Sequence, residues 1–353
     1  MNDHHDLEIR SEGALGIISL NRSSHLNALT LEMIRGIQAQ LDQWREDSQV
    51  QAVLIKSNAA KAFCAGGDIR YLYDSYQAGN TQYQDFFATE YTMLSTIRNY
   101  SKPVIVMMDG YVLGGGFGLA QACHIKITSE KSRFAMPETA IGFFPDVGAT
   151  YFLSRLDEVG VYMALTGAQI SSSDALYLDL VDYHVPSEHF VALEHALSVA
   201  PILNPVEIRT IISSSITHPQ ESELQQHIDL INQYFSYPDI NEIEQGLADA
   251  NDTLHQDWIK KMQAILEQRP EMAKQISLKL QQVGQNLSLE KCMQLERGLQ
   301  DIWLQQGDFI EGVRALIVDK DKNPKWQTDN TEFKKTLEKF WPVWSKQHKD
   351  SLC

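Results

Sequence analysis

Two glycine loops constrain this chain more than any other feature. Phe63-Cys64-Ala65-Gly66-Gly67-Asp68 follows the apolar run Ala52–Lys56, and Gly114-Gly115-Gly116-Phe117-Gly118 follows the buried-looking run Val104–Met108. Each loop opens a helical stretch. A strand that runs through a glycine turn into a helix start points backbone N–H groups outward at the positive helix end. That arrangement suits an anion or a developing oxyanion. Taken singly, either loop is better read as a tight turn that lets helix and sheet pack closely. Neither has the G-x-x-x-x-G-K-[ST] or G-x-G-x-x-G spacing, so a nucleotide phosphate cradle has weak support.

The chain around the loops alternates strand and helix. Leu7–Arg10 and Leu15–Leu20 read as strands about a turn at Glu12–Gly13, and Ile125–Thr128 and Arg133–Ala135 read as two more. Thr30 is a good N-cap for a helix that aligns Ile34, Ile37, Leu41 and Trp44. A long helix is expected from Gln82 to Asn99, a loop over Pro137–Asp146, and a further helix from about Gly148. Such alternation predicts an α/β fold with a largely covered sheet. Beyond about Val185 strand signals nearly vanish. Ser187–Val199, Pro205–Ser214, Glu221–Tyr234, Asp239–Asn251, Ser288–Gln305 and Asp308–Val318 all read as helical. The expected organisation is a core over residues 1–195 and a helical region over 196–353.

Composition excludes several classes. With 353 residues, 43% hydrophobic and 22% charged, the chain has enough apolar material for a full core, and wholesale disorder is ruled out. Forty-six acidic against 30 basic residues leave a net charge of −16. A surface so acidic repels nucleic acid and anionic lipid, and no apolar run approaches the ~20 residues of a membrane helix. The charge is uneven, and Arg314–Lys349 runs against the trend, with a basic excess that makes it one candidate for an anionic ligand. Cys64, Cys123, Cys292 and Cys353 are too sparse for a disulfide scaffold and form no C-x-x-C pair. The acidic start, Met-Asn-Asp-His-His-Asp-Leu-Glu, resembles neither a secretory signal nor an Arg-rich transit peptide, so a cytoplasmic protein is expected.

Two carboxylates lie in markedly apolar surroundings. Glu138 and Asp146 bracket Thr139-Ala140-Ile141-Gly142-Phe143-Phe144-Pro145. Desolvated there, either suits general acid, base or nucleophile work. Plainer readings stand beside these: Asp146 as N-cap of the next helix, Glu138 as a helix-start acid or ion-pair partner. Other chemistry fades. There is no G-x-S-x-G elbow for a serine triad. His4 and His5 fall in a terminus, and His25 and His124 have no ligand types at metal spacing. Cys64 is better read as small-residue packing.

In combination the motifs are far more specific. Asn27-Ala28-Leu29, Lys61-Ala62-Phe63-Cys64-Ala65-Gly66-Gly67-Asp68-Ile69, Lys102-Pro103-Val104-Ile105, Gly110-Tyr111-Val112-Leu113-Gly114-Gly115-Gly116 and Met136-Pro137-Glu138 occur in the order of the crotonase (enoyl-CoA hydratase/isomerase) superfamily. The resemblance covers roughly residues 7–200. Phe134–Gly148 and Asp308–Trp326 resemble its acyl-CoA hydrolase branch and extend the match over most of the chain. The resemblance implies a spiral of β-β-α units with a helical C-terminal region, an acyl-CoA substrate, no metal and no organic cofactor. It also implies a homo-oligomer, trimer or multiple.

Roles carry over position by position. The family's two oxyanion donors fall on the backbone N–H groups of Gly67 and Gly115. Family hydratases carry two catalytic glutamates; one corresponds to Glu138, the other to Gly118, so paired acid–base addition of water is poorly supported here. Asp146 instead supplies a second carboxylate, fit to hold a substrate hydroxyl. The activity implied is hydrolysis of short, branched 3-hydroxyacyl-CoA, 3-hydroxyisobutyryl-CoA first among them, in valine breakdown. Gly66, Asp68, Arg70 and Gly114 are expected substrate or CoA contacts, with Lys320 and Lys322 toward the CoA phosphates. The rival readings are an enoyl-CoA hydratase or isomerase working with Glu138 alone, and a non-catalytic acyl-CoA-binding protein.

Overall fold

The structure, a computed structural model, describes residues 6–219 and 221–347. His4, His5 and Cys353 lie outside these. By contact the chain gathers into two compact units, each assembled from separated stretches. One comprises the chain up to Asp68, Asp85–Ala135 and Gln169–Gln226; the other comprises Ile69–Gln84, Met136–Ala168 and the chain from His227 onward. The units therefore interleave along the sequence and do not divide at a single point near residue 195.

Among the described residues the first unit holds ten strands: β1 Leu7–Glu12, β2 Leu15–Leu20, β3 Ala52–Ser57, β4 Ala62–Cys64, β5 Val104–Met108, β6 Tyr111–Leu113, β7 Ile125–Thr128, β8 Arg133–Ala135, β9 Ile170–Ser171 and β10 Tyr183–His184. They form a six-stranded sheet in the order β1-β2-β3-β5-β7-β10 and a four-stranded sheet in the order β4-β6-β8-β9. Pairing is parallel except for β1 with β2 and β8 with β9. Three successive pairs, β3/β4, β5/β6 and β7/β8, each give one strand to each sheet. The chain thus winds as the expected spiral of β-β-α turns. Sequence explains the sheets' burial: all five residues of β5, Val-Ile-Val-Met-Met, are buried, as a parallel strand covered on both faces requires. Leu15, Ile17, Leu54, Ile105 and Ile127 pack against Leu193, Leu197, Ile208 and Ile212. The helix Leu31–Glu46 starts as expected at Thr30, whose hydroxyl accepts from the Met33 N–H at 3.1 Å.

The second unit is almost wholly helical. Its helices include Ala149–Phe152, Asp157–Thr166 and a succession from Ile228–Phe235 to Thr331–Gln347. Trp303, Phe144 and Phe309 are among its most deeply buried side chains. Three of its helices, Gln256–Glu267, Glu271–Gly284 and Thr331–Gln347, go beyond the sequence expectation. Glu271–Gly284 buries Lys274 and Gln281 among its apolar residues, which blurs its periodicity. Two other expectations change. Pro137–Asp146 is not wholly loop, because Glu138–Ile141 forms a 3-10 turn closed by Gly142 at φ +69°. The helix expected over Asp308–Val318 is α over Phe309–Val313 and π over Arg314–Val318.

Candidate active site

In the first unit the two glycine loops meet. β4 leads into Gly66, which takes φ +104°, a conformation that side chains other than glycine rarely adopt. Gly114, before the helix Gly115–Ala122, takes φ +49°. Asn27 holds the first loop: its buried amide donates to the Phe63 carbonyl at 2.9 Å and to the Ser57 hydroxyl at 2.7 Å. The Gly66 carbonyl accepts from Leu29 N–H at 2.8 Å, and the Asp68 N–H donates to the Leu29 carbonyl at 2.9 Å. Those bonds use the amide of Asp68 and leave the Gly67 N–H pointing elsewhere. Among the described residues neither the Gly67 nor the Gly115 N–H donates to any group of the chain. The two lie close together, since a Cβ built on Gly115 would stand 3.1 Å from the Gly67 nitrogen. Backbone donors are normally satisfied in a fold, so two converging unspent ones form a site for an incoming acceptor.

Glu90 borders this site and was not singled out from the sequence. It is 2% exposed, on the helix Gln82–Arg98, and its Oε1 would lie 2.9 Å from that same Cβ on Gly115. The signal that could have revealed it is a lone acid amid the apolar face Phe86, Phe87, Met93, Leu94 and Ile97. Cys64 beside the loop is inert: burial pushes its thiol up to about 12, with Glu90 adding to the rise.

Asp68 and Arg70 have partners of their own. The Asp68 carboxylate pairs with the Arg22 guanidinium at 2.9 Å, a partly buried bridge that fastens the loop. In the second unit Arg70 pairs with Asp74 at 3.0 Å across one helical turn, both side chains about half exposed. Lys320 and Lys322 are exposed and adopt φ +57° and +54°. Arg314, part of the basic excess, is taken up by Glu311, Asp319 and Asp321 at 2.6–2.8 Å, so the segment is less free to attract anions than its composition suggests.

The second unit carries both candidate carboxylates. Glu138 opens the 3-10 turn and is 8% exposed. That turn rests on the other stretch of closer resemblance. Trp303 Nε1 donates to the Gly142 carbonyl at 2.7 Å, a Cβ on Gly142 would strike Asp308 at 2.7 Å, and one on Gly312 would strike the Ile141 carbonyl at 2.2 Å. Phe143 stacks on Phe144 at 4.4 Å, and Phe144 meets Trp303 edge-on at 5.2 Å. The loop is thereby an apolar wall in which a carboxyl group is poorly solvated.

Asp146, 6% exposed, lies in that setting. Its Oδ2 accepts from Gln300 Nε2 at 2.6 Å. Burial first, and the nearby Glu296 carboxylate second, push its carboxyl up to about 8. The N-cap reading of Asp146 is corrected by the geometry. The helix Ala149–Phe152 follows the N-cap residue Gly148, which has no side chain to give, and Asp146 offers its carbonyl to Ala149 N–H at 2.9 Å. The cap is Glu296, from the helix Leu289–Gln306, whose two oxygens accept from Gly148 N–H at 2.8 Å and Thr150 N–H at 2.9 Å. No local signal announces a cap supplied from 146 residues away.

A β-β-α spiral with two unspent loop amides, on a chain that also buries a Glu and an Asp in one short loop, defines a crotonase-type α/β protein. The chain belongs to the enoyl-CoA hydratase/isomerase family, whose sequence model matches residues 15–337. Similar curated proteins include the mitochondrial 3-hydroxyisobutyryl-CoA hydrolase of Xenopus tropicalis, 37% identical over 91% of this chain and 84% of its own length. The mitochondrial 3-hydroxyisobutyryl-CoA hydrolase of Homo sapiens is 34% identical over 90% and 83%. Among solved structures, one described as an enoyl-CoA hydratase from Rhodobacter sphaeroides is 34% identical, with a TM-score of 0.83 over 91% of this chain and 92% of that one. One described as a carnitinyl-CoA dehydratase from Mycobacterium thermoresistibile is 29% identical, with a TM-score of 0.84 over 92% of each. The mitochondrial names lend no support to the cytoplasmic expectation. Among the described residues no helix is long and apolar enough to cross a membrane.

Proposed function

We propose that this protein hydrolyses the thioester of short, branched 3-hydroxyacyl-CoA, with 3-hydroxyisobutyryl-CoA as its substrate, releasing the hydroxy acid and CoA in the breakdown of valine. The observation that carries the thioester chemistry is the pair of unspent N–H groups at Gly67 and Gly115. They receive the carbonyl oxygen as it gains negative charge; one such donor is typically worth ~2.7–4 kcal/mol in the transition state. Glu138 drives the attack, either adding its own carboxylate oxygen to the carbonyl to form a mixed anhydride that water then opens, or taking a proton from the attacking water. Both routes consume one water and expel the CoA thiolate, which gains a proton. Asp146 binds the 3-hydroxyl and assists proton transfer. Glu90, beside Gly115, joins the substrate contacts.

Gly66, Gly114 and Asp68 shape the loops around the thioester. Arg70, on leaving Asp74, reaches a CoA phosphate, and Lys320 and Lys322 serve the same phosphates. The working form is a homo-oligomer. The cytoplasmic placement stands apart from this chemistry, which does not depend on it.

The enoyl-CoA hydratase reading deserves a direct contest, because the names of similar solved structures include a hydratase and a dehydratase. Gly118, at the place of the second hydratase glutamate, favours hydrolysis. A panel of acyl-CoA esters followed by free-thiol titration and enoyl absorbance decides between them. Thiol release from 3-hydroxyisobutyryl-CoA is expected, cut on the order of 10³-fold or more by Glu138→Gln with CoA binding retained. Hydration of crotonyl-CoA without thiol release would establish the rival. Near-normal turnover by Glu138→Gln would reduce Glu138 to a structural acid.

A further inference from the structure

We infer that Gln300, oriented by Arg297 and backed by Glu296, is a positioning residue that sets which way the Asp146 carboxyl faces, and through it the preference for hydroxylated acyl groups. The inference rests on the proposed role of Asp146 as the hydroxyl-binding group.

The three residues share one side of the helix Leu289–Gln306, spaced three and four apart around Gln300. Glu296 and Gln300 are fully buried, in a helix whose other buried positions are Cys292, Leu295, Leu299, Trp303 and Leu304. Burying an amide and a carboxylate where Leu would pack is costly unless each is put to use. Their bonds show the use. Gln300 Nε2 donates to Asp146 Oδ2 at 2.6 Å, while its Oε1 accepts from Arg297 Nη1 at 2.7 Å. A flipped amide would set oxygen against carboxylate and nitrogen against guanidinium, so Arg297 dictates the orientation in which Gln300 meets Asp146. Glu296 meanwhile clamps the backbone two and four residues beyond Asp146, at Gly148 and Thr150. Side chain and backbone of Asp146 are thus set from one helix.

The same groups act on its charge in opposite senses. Glu296 repels the ionised carboxylate and favours the proton; the Gln300 hydrogen bond and the Arg297 cation favour ionisation.

The test compares wild type, Gln300→Met, Asp146→Asn and the double variant, using kcat/KM for 3-hydroxyisobutyryl-CoA and isobutyryl-CoA. Carboxyl-carbon NMR titration of Asp146 in the ligand-free protein runs beside it. Gln300→Met is expected to lower the ratio of the two substrates about tenfold, the scale of one buried hydrogen bond. Adding Asp146→Asn should then cost little more, and the Asp146 midpoint should rise in Gln300→Met. Arg297→Met, a less buried change, should move both readouts the same way by less; it serves as the decisive variant if Gln300→Met does not fold. Equal losses on both substrates with an unmoved midpoint would overturn the inference and leave Gln300 as packing. A moved midpoint with an unchanged ratio would instead overturn the hydroxyl-binding role of Asp146 while keeping its positioning by Gln300.

Discussion

Asp146 shows how a single residue's chemistry depends on distant neighbours. Its burial and the Glu296 charge raise its proton affinity, to a midpoint of about 8. In the unfolded chain the same carboxyl titrates near 4. The folded state therefore binds the proton more tightly, and its stabilising effect is complete below about pH 4 and lost as pH rises toward 8. Asp146→Asn removes that dependence. Its urea midpoint, relative to wild type, should improve steadily from pH 5 to pH 8. Parallel midpoints for the two proteins across that range would show that Asp146 is ionised in the native state at neutral pH.

The glycine loops act as elements, and adjacent glycines within one loop do different work. A Cβ at Gly115 would meet the end of the Glu90 side chain at 2.9 Å and the Gly67 nitrogen at 3.1 Å, in the space proposed for the thioester oxygen. A Cβ at Gly116 would meet the Cys64 carbonyl at 2.4 Å, which is backbone and cannot swing away. Gly115→Ala is therefore expected to fold, because Glu90 can yield, yet to lose about 10²-fold or more in thiol release. Gly116→Ala is expected to destabilise the protein by about 1–3 kcal/mol through overpacking. Urea denaturation and thiol release on both variants separate the two effects. Wild-type turnover from Gly115→Ala would remove Gly115 from the oxyanion site.

At the scale of the whole molecule, reaction type is a property of the full constellation. Gly118 is buried in the helix Gly115–Ala122, where family hydratases place an acid. Yet the chain also carries Asp146, with Gln300 and Glu296 behind it, and the Gly142–Asp308 and Ile141–Gly312 contacts that brace the Glu138 turn. Introducing one acid leaves all of these unchanged. Gly118→Glu alone is accordingly expected not to hydrate crotonyl-CoA. Measurable hydration with thiol release abolished would show that this one position governs the reaction.

The amino-acid sequence by itself determined whatever depends on neighbours a few residues apart. Strands β2 and β5 span the apolar runs Leu15–Leu20 and Val104–Met108, Thr30 caps the helix it precedes, and the glycine loops turn where glycine is needed. These are short-range matters of burial period, capping and backbone freedom. The family resemblance likewise rested on local motifs. Tertiary structure alone decided what depends on residues distant in the chain. It chose which strands share a sheet, gave Asp68 to Arg22, set Glu90 beside Gly115, and brought a cap for Gly148 and a hydrogen bond for Asp146 from the helix Leu289–Gln306. A buried polar group must find a partner, but its own sequence neighbourhood does not say which one; packing in three dimensions makes that selection.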